Sequence, residues 1–466
     1  MRHFRRTVQD MRRAVCGLLL VPFLLTALLP QGYMPALQDD GRFTVTLCTG
    51  DGLKTVMLDA DGNETTLTLD DVGITAIDDK TLEVKLVRPT VFFLSLTSFI
   101  TYLPAQKAAV EQWGEEYATE ADKMVYSGPF VISEWTHEQN LNLVKNEDYW
   151  DAKNVKLPSI TGQVISEENT WIQMYESGEL DIAVIGPNFL EQYKDQPEYQ
   201  ALPQATTWYL MFNVQDKYFS NLKIRQAFSQ ATDAQTYVNE IRNGLGEVAT
   251  QFTPPTMAGK SGSANFSEDV QAAVADGMPS MPPYDVEEAN RLLEEGLAEL
   301  GATKEDLMAE CTLVGGDTDP WPTMLQFFQG QWEQNLGVRL EIEMMSFAER
   351  LERYDTGTYQ ITYAGWGGDY NDPLTFMDMW VTGGGNNDSF WSNADYDSYI
   401  DTAINGQGDE RIEAMVKGEG VLAAELPIYP LYWPTRSFVQ RDYVHDVARP
   451  PVGADYEFKW AYVDEH

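Results

Sequence analysis

The chain has little cysteine, little histidine and little positive charge. Of 466 residues, three are Cys and four are His. Three cysteines exclude a disulfide framework by count, and Cys48 and Cys311 pair only if the fold brings their Cα atoms within about 7 Å. The histidines (His3, His137, His445, His466) are scattered and no HxxxH or CxxC spacing occurs, so no metal site is expected. Lys and Arg number 32 against 72 Asp and Glu, a formal net charge of −40. That balance argues against nucleic acid or an anionic membrane as the main ligand, since both require a basic footprint. Most of the charge reads as solvated surface, with a residual bias toward cationic ligands. Catalytic signatures are absent too: there is no GxSxG elbow, no HExxH, no P-loop and no GxGxxG. Neighbouring acids such as Glu167-Glu168 and Glu294-Glu295 arise by chance among so many, and acid–base pairs are set by spatial separation rather than adjacency. Neither an enzyme nor a cofactor is expected.

Long apolar runs are scarce. The one at residues 14–29 is broken by Pro22 and comes after five arginines, Arg2, Arg5, Arg6, Arg12 and Arg13. This is the layout of a secretory signal over residues 1–36. The run is short for a membrane span, which needs about 20 residues; an uncleaved anchor is the alternative, because the small residues near Pro35-Ala36 make a poor cleavage site. Cys16 precedes the apolar run and is badly placed for lipid attachment.

What is present is a globular composition. Hydrophobic residues make up 43% and aromatics 12%, which excludes a disordered chain. A chain of this length divides into two lobes or domains. Residues 37–70 read as one or two hairpins with Asp-Gly turns, unlike the rest of the chain. Leu82, Val84 and Leu86 alternate with charge as a half-buried strand, and residues 140–145 form another. The run 206–214 is apolar enough for a strand covered on both faces. Residues 260–284 read as a surface loop with one short helix. Asp285 then caps a helix whose apolar face is Ala289, Leu292, Leu293, Leu297 and Leu300, with Glu288 placed for a capping box. A strand at 311–314, a helix through Leu325, Phe328, Trp332 and Leu336 stopping at Gly337, and a strand through Val338, Leu340, Ile342 and Met344 make a β-α-β unit with parallel strands. A further strand at 359–364 runs into Gly365-Trp366.

Seven segments carry a family signal: VGITAIDDKTLEVKL (72–86), SGPFVISEW (127–135), LVKNEDYWD (143–151), YESGELDI (175–182), YLMFNVQDKYFSNLKIRQAFSQATD (209–233), AGWGGDYNDP (364–373) and LPIYPLYW (426–433). In this order they resemble the extracytoplasmic oligopeptide-, dipeptide- and nickel-binding proteins of ABC importers, the family 5 solute-binding proteins. The resemblance implies an α/β, two-lobed periplasmic-binding-protein-like fold (type II, cluster C) with mixed sheets and a hinge. It implies lobe I over residues 71–210, lobe II over 211–430 and a return to lobe I over 431–466. It also implies export to the periplasm or cell surface, short peptides as ligand, an ABC permease as partner and a monomeric state. A nickel chelate, haem or sugar oligomer on the same frame is the alternative ligand, and a truncated or fused product that transports nothing is a further one. Relatives carry well over a hundred residues ahead of the first segment, so lobe I is expected to be incomplete and to expose apolar surface.

The expected binding residues centre on the motif after the 359–364 strand. Ligands collect beyond the carboxyl ends of strands in open α/β sheets. Trp366 offers a flat apolar wall, Gly367 and Gly368 let backbone come close to a ligand, and Tyr370 and Asn371 complete the loop. The resemblance assigns Asp369 to the α-ammonium of the peptide; the plainer reading is a cap for the turn or helix at Pro373-Leu374. It places Tyr432 and Trp433, with Tyr429, at the return crossover between lobes, and Trp208 and Asn213 at the outgoing one. Each ring reads equally as core.

Overall fold

The structure is a computed structural model. It describes residues 73–78, 80–318 and 320–465, together with the backbone of three earlier strands, β1 (Phe43–Thr49), β2 (Gly52–Leu58) and β3 (Glu64–Thr65). The expected leader at 1–36 lies outside the described residues. β1 and β2 form the expected antiparallel hairpin, with Cys48 opposite Leu53. The chain divides into two compact units, Met1–Pro89 with Pro104–Tyr126, and Thr90–Leu103 with Ser127–His466.

In the first unit, β4 (Ile74–Asp78) and β5 (Thr81–Val84) form an antiparallel hairpin. The Asp78 carboxylate ties its turn, accepting the Lys80 N–H at 2.8 Å and the Thr81 hydroxyl at 3.0 Å. The half-buried strand expected here is corrected. Every residue of both strands is exposed, Leu82 at 64%, and Leu86 falls beyond the strand. No third described strand pairs with the hairpin, so alternation alone buries nothing.

The second unit holds three larger sheets. β6 (Phe130–Thr136), β7 (Asn140–Lys145) and β8 (Ser159–Gln163) form an antiparallel meander. β9 (Ile182–Ile185) and β10 (Tyr199–Pro203) flank β17 (Thr435–Gln440), all antiparallel, with helix α1 (Glu168–Ser177) ahead of β9. Gly178, at φ 82°, closes α1 in the left-handed conformation, as the ESGELD turn suggests.

The third sheet has six strands in the order β12-β16-β11-β15-β13-β14. β11 (Thr206–Phe212) pairs antiparallel with β15 (Ile361–Gly367) and β16 (Ile428–Trp433), and β12 (Glu247–Val248) closes one edge. β13 (Thr312–Gly316), β14 (Glu341–Met345) and β15 run parallel. β11 is covered on both faces, with Leu210 and Phe212 fully buried, as its continuous apolar run predicts.

Helices cover this sheet: α2 (Leu222–Gln230), α3 (Phe266–Ala275), α4 (Val286–Leu300), α5 (Trp321–Leu336), α6 (Phe347–Asp355), α7 (Ala394–Asn405) and α8 (Gly408–Glu425). α4 begins where Asp285 accepts the Glu288 N–H at 3.0 Å and ends at Gly301, φ 64°. The Glu288 carboxylate turns to Arg291 (2.7 Å) instead of back to Asp285, so the capping box is half formed. α5 stops at Gly337, φ 67°, as expected. Three expectations shift. The stretch 260–284 contains the ten-residue α3, capped by Asn265. Val338 and Leu340 are fully buried but precede β14, and β15 runs on through Gly367. Cys311 is a buried free thiol, so it makes no pair with Cys48.

Two connections join the three-stranded β9/β10/β17 sheet to the six-stranded one, at residues 203–206 and 433–435. They lie side by side, the Gln204 N–H donating to the Pro434 carbonyl at 2.9 Å.

Candidate ligand-binding site

β13, β14 and β15 point their carboxyl ends to the same edge of the sheet. Three loops leave that edge: one enters α5 at Trp321, one enters α6 at Phe347, and one is the 368–373 turn after β15. Such an edge is where open α/β sheets take ligands.

The 368–373 turn is held from several sides. Thr375 binds it twice, its hydroxyl accepting the Asp369 N–H at 3.0 Å and its carbonyl accepting the Trp366 indole N–H at 2.8 Å. The Gly368 N–H donates to the Ala205 carbonyl at 2.8 Å. Tyr370 stacks on Phe92, with ring centroids 4.6 Å apart and planes within 13°. The buried Asp372 carboxylate receives two 2.7 Å hydrogen bonds from the Arg411 guanidinium of α8, and its Oδ1 also caps the next short helix at the Leu374 N–H (3.0 Å). Two parallel N–H···O bonds make this the strong form of the Arg–carboxylate pair.

Asp372 therefore does the capping that Asp369 could have done. Among the described residues nothing donates to the Asp369 carboxylate. Burial pushes it up to about 6, with no neighbouring cation to offset the lost hydration. Asp378 stands nearby and is pushed up to about 7, first by burial and then by the charges of Asp369 and Asp372, with a hydrogen bond from Tyr370 opposing. Among the described residues Arg411 pairs with Asp372, and the carboxylates of Asp369 and Asp378 have no ion-pair partner.

The expected site residues separate into two groups. Trp366 and Gly367 end β15, and Gly368, Asp369, Tyr370 and Asn371 follow on the turn, with Asn371 exposed. The glycines have packing reasons as well as any ligand reason. A Cβ on Gly368 would sit 3.2 Å from the Phe376 ring, while one on Gly367 would make ordinary contact with Thr206 at 3.4 Å. The tightest position is Gly365, where a Cβ would lie 2.8 Å from the ring of Trp208, its partner across the β11–β15 ladder. Trp208 is half-buried and stacked on Tyr363, centroids 5.0 Å apart.

Asn213, Tyr432 and Trp433 do not join the turn. The Asn213 amide donates to the Gly357 and Tyr359 carbonyls, both at 2.9 Å, and its carbonyl accepts the Gln215 N–H, so these bonds tie it to the fold. Tyr432 is 2% exposed within the main core cluster, against Tyr237. Trp433 is buried, as is Tyr429, whose hydroxyl reaches the Pro282 carbonyl at 3.3 Å. Sequence reasoning missed Phe92, Thr375 and Arg411, which shape the turn. An Arg within α8 carries no local sign that its partner lies 39 residues earlier.

Comparison with known proteins bears on the family and the fold. Residues 41–388 match the family described as bacterial extracellular solute-binding proteins, family 5 Middle. That span opens inside the 37–70 stretch, whose hairpins differ in pattern from the rest of the chain. The oligopeptide-binding protein OppA of Bacillus subtilis is 31% identical over 401 residues, covering 84% of this chain and 71% of its own length. The dipeptide-binding protein DppE of the same organism is 32% identical over 394 residues, covering 84% and 70%. Among solved structures, Listeria monocytogenes OppA bound to peptide superposes with a TM-score of 0.74 at 28% identity, covering 93% of this chain and 90% of that one. The substrate-binding domain of an oligopeptide ABC transporter from Bacillus anthracis gives 0.73 at 31%, covering 84% and 76%. The mixed α/β architecture matches these two-lobed binding proteins, and the chain belongs to the family 5 bacterial extracellular solute-binding proteins.

Proposed function

We propose that this protein binds short peptides outside the cytoplasm and hands them to the permease of an ABC importer, with Asp369 receiving the peptide's α-ammonium. One observation carries the reading. Asp369 is a half-buried carboxylate to which nothing among the described residues donates, it is fixed just beyond the carboxyl end of β15, and burial has raised it to about 6. An arriving ammonium supplies the missing charge and hydrogen bonds, and a charge-assisted bond in a partly dry site is a strong anchor. The relatives named for oligopeptides and dipeptides support the same ligand class.

In this reading lobe I spans residues 71–210 and lobe II 211–430, and the adjacent crossovers at 203–206 and 433–435 act as the hinge. Closure about two short adjacent connections buries the ligand and presents one closed shape to the permease. Trp366 and Tyr370 wall the ammonium site, and the protein acts as a monomer. It binds stoichiometrically without turnover. Among the described residues no helix is long and apolar enough to cross a membrane.

The test is calorimetric titration with free and N-acetylated tripeptides. Free peptides are expected to bind at least tenfold more tightly than acetylated ones, and Asp369→Asn is expected to remove that difference. Losing one partner of a buried charge pair costs about 2–5 kcal/mol, so the effect is well above detection. Equal affinity for both peptide forms in the unaltered protein overturns the assignment of Asp369.

A further inference from the structure

The two sheets that the crossovers connect meet end to end, with their strands in matching order. On one side β17 lies between β10 and β9; on the other β16 lies between β11 and β12. β10 leads into β11 through residues 203–206, and β16 leads into β17 through 433–435. The third pair, β9 and β12, has no covalent connection, yet its ends fall on the same seam. Ile185, at the end of β9, faces Ser437 near the start of β17, and Glu247, at the start of β12, faces Trp433 at the end of β16. A side chain bridges this third junction. Just past β9 the Pro187 carbonyl accepts a 2.9 Å hydrogen bond from the amide of Asn243, in the loop that enters β12.

Both ends of the bond are held in place. Glu168, at the start of α1, grips the acceptor loop, its carboxylate accepting the Gly186 N–H at 2.7 Å and the Asn188 amide at 3.2 Å. The donor loop leaves a π-helical turn at Tyr237–Ile241, a rare geometry. It ends at Gly246, φ 137°, where a Cβ would lie 2.7 Å from the Trp433 carbonyl oxygen and 3.5 Å from the Pro434 Cα. The loop is therefore pressed onto the 433–435 crossover itself. Asn243 holds φ 47°, in the left-handed region that glycine enters most easily and Asn tolerates better than most residues. Its amide is what a glycine there would lack.

Neighbouring strands lie about 4.8 Å apart, so the three junctions form a row roughly 10 Å long. Two adjacent links resist twisting of one sheet against the other over a short arm. A third link in line roughly doubles that arm and leaves bending about the row unopposed.

We propose that the Asn243–Pro187 hydrogen bond is a third, non-covalent hinge connection that restricts the two lobes to a single bending motion. This rests on the hinge in the reading above and gives Asn243 a positioning role, setting how one lobe meets the other.

The test is the distance distribution between spin labels on the two lobes of the full chain, measured by pulsed electron resonance without ligand. The labels go on Glu179→Cys, beside β9, and Glu294→Cys, on α4, both exposed, with Cys16→Ser and Cys48→Ser; Cys311 is buried. Asn243→Asp keeps the shape and the backbone tolerance but cannot donate, and Asn243→Gly keeps the backbone and adds no charge. Both variants are expected to lose the single narrow distribution of the unaltered protein and to broaden it. Calorimetry with Ala-Ala-Ala and its N-acetylated form is expected to show both weakened by the same factor. That factor is about two- to threefold, the lower end for one hydrogen bond, since the pair is exposed. If either variant keeps a distribution as narrow as the unaltered protein's, the third connection is overturned, whether or not peptides bind. A loss confined to the free peptide places Asn243 at the ligand's ammonium and overturns it too. If neither peptide binds the unaltered protein while both variants broaden, the peptide reading fails and the hinge connection stands.

Discussion

At the residue scale, two aspartates of one turn have opposite fates. Asp372 is spent on Arg411 and on the Leu374 N–H, whereas the Asp369 carboxylate has no partner among the described residues. The consequence is a pH dependence whose sign differs for folding and for binding. The ordinary value for Asp is 3.8, and the folded chain holds the Asp369 proton up to about 6. The folded state therefore binds the proton more tightly than the unfolded chain. This group's contribution to stability is lost as pH rises from about 4 to 6 and regained on acidification. Ligand binding runs the other way, because an ammonium needs the ionised carboxylate. Affinity for free-amino peptides is expected to fall as pH drops below about 6, approaching tenfold per pH unit, while N-acetylated peptides lose none of theirs through this group. Titrations between pH 5 and 8 check this, and Asp369→Asn should flatten the profile for free peptides. Asp378, raised to about 7, adds a second ionisation in the same range.

At the scale of elements, the pairing of β11 with β15 sets where the turn begins. Trp208 faces Gly365 across the ladder, and its ring occupies the space a side chain would need. Gly365→Ala is expected to push Trp208 off Tyr363 and destabilise the fold by about 1–3 kcal/mol, the usual cost of overpacking, as read from chemical denaturation. The same element shows where local pattern suffices. The buried run of β11, the Asp285 cap of α4 and the left-handed glycine at 337 are all visible as residue types at fixed positions. The β4–β5 hairpin shows the opposite. Its alternation is that of a half-buried strand, yet every residue is exposed. Periodicity states which face can be buried; a covering layer decides whether it is. The full length of α3 is hidden for another reason, since a Gly-, Ser- and Pro-rich surrounding masks ten residues with a good Asn cap.

At the scale of the whole molecule, a formal charge of −40 makes a long-range field that attracts cations before contact. Lysine-containing tripeptides are expected to associate faster than glutamate-containing ones in stopped-flow mixing. That difference should shrink severalfold between 10 mM and 500 mM salt as the Debye length contracts from about 30 Å to a few ångströms. Equal association rates at low salt would show the acidic surface to be inert toward the ligand.

The sequence by itself determined the family, the start of α4 and the end of α5, the doubly covered strand and the turn that carries the carboxylate. These depend on repeat period, on capping residues and on glycines, all of which act within a few residues. Tertiary structure alone decided which charges are satisfied. Arg411 reaches Asp372 across 39 residues, and Asn213 donates to carbonyls more than 140 positions away. The sequence marks the turn that carries Asp369, but only the fold shows that nothing among the described residues donates to its carboxylate. Whether a charge is free depends on every group that folding brings to it, and no local pattern records that inventory.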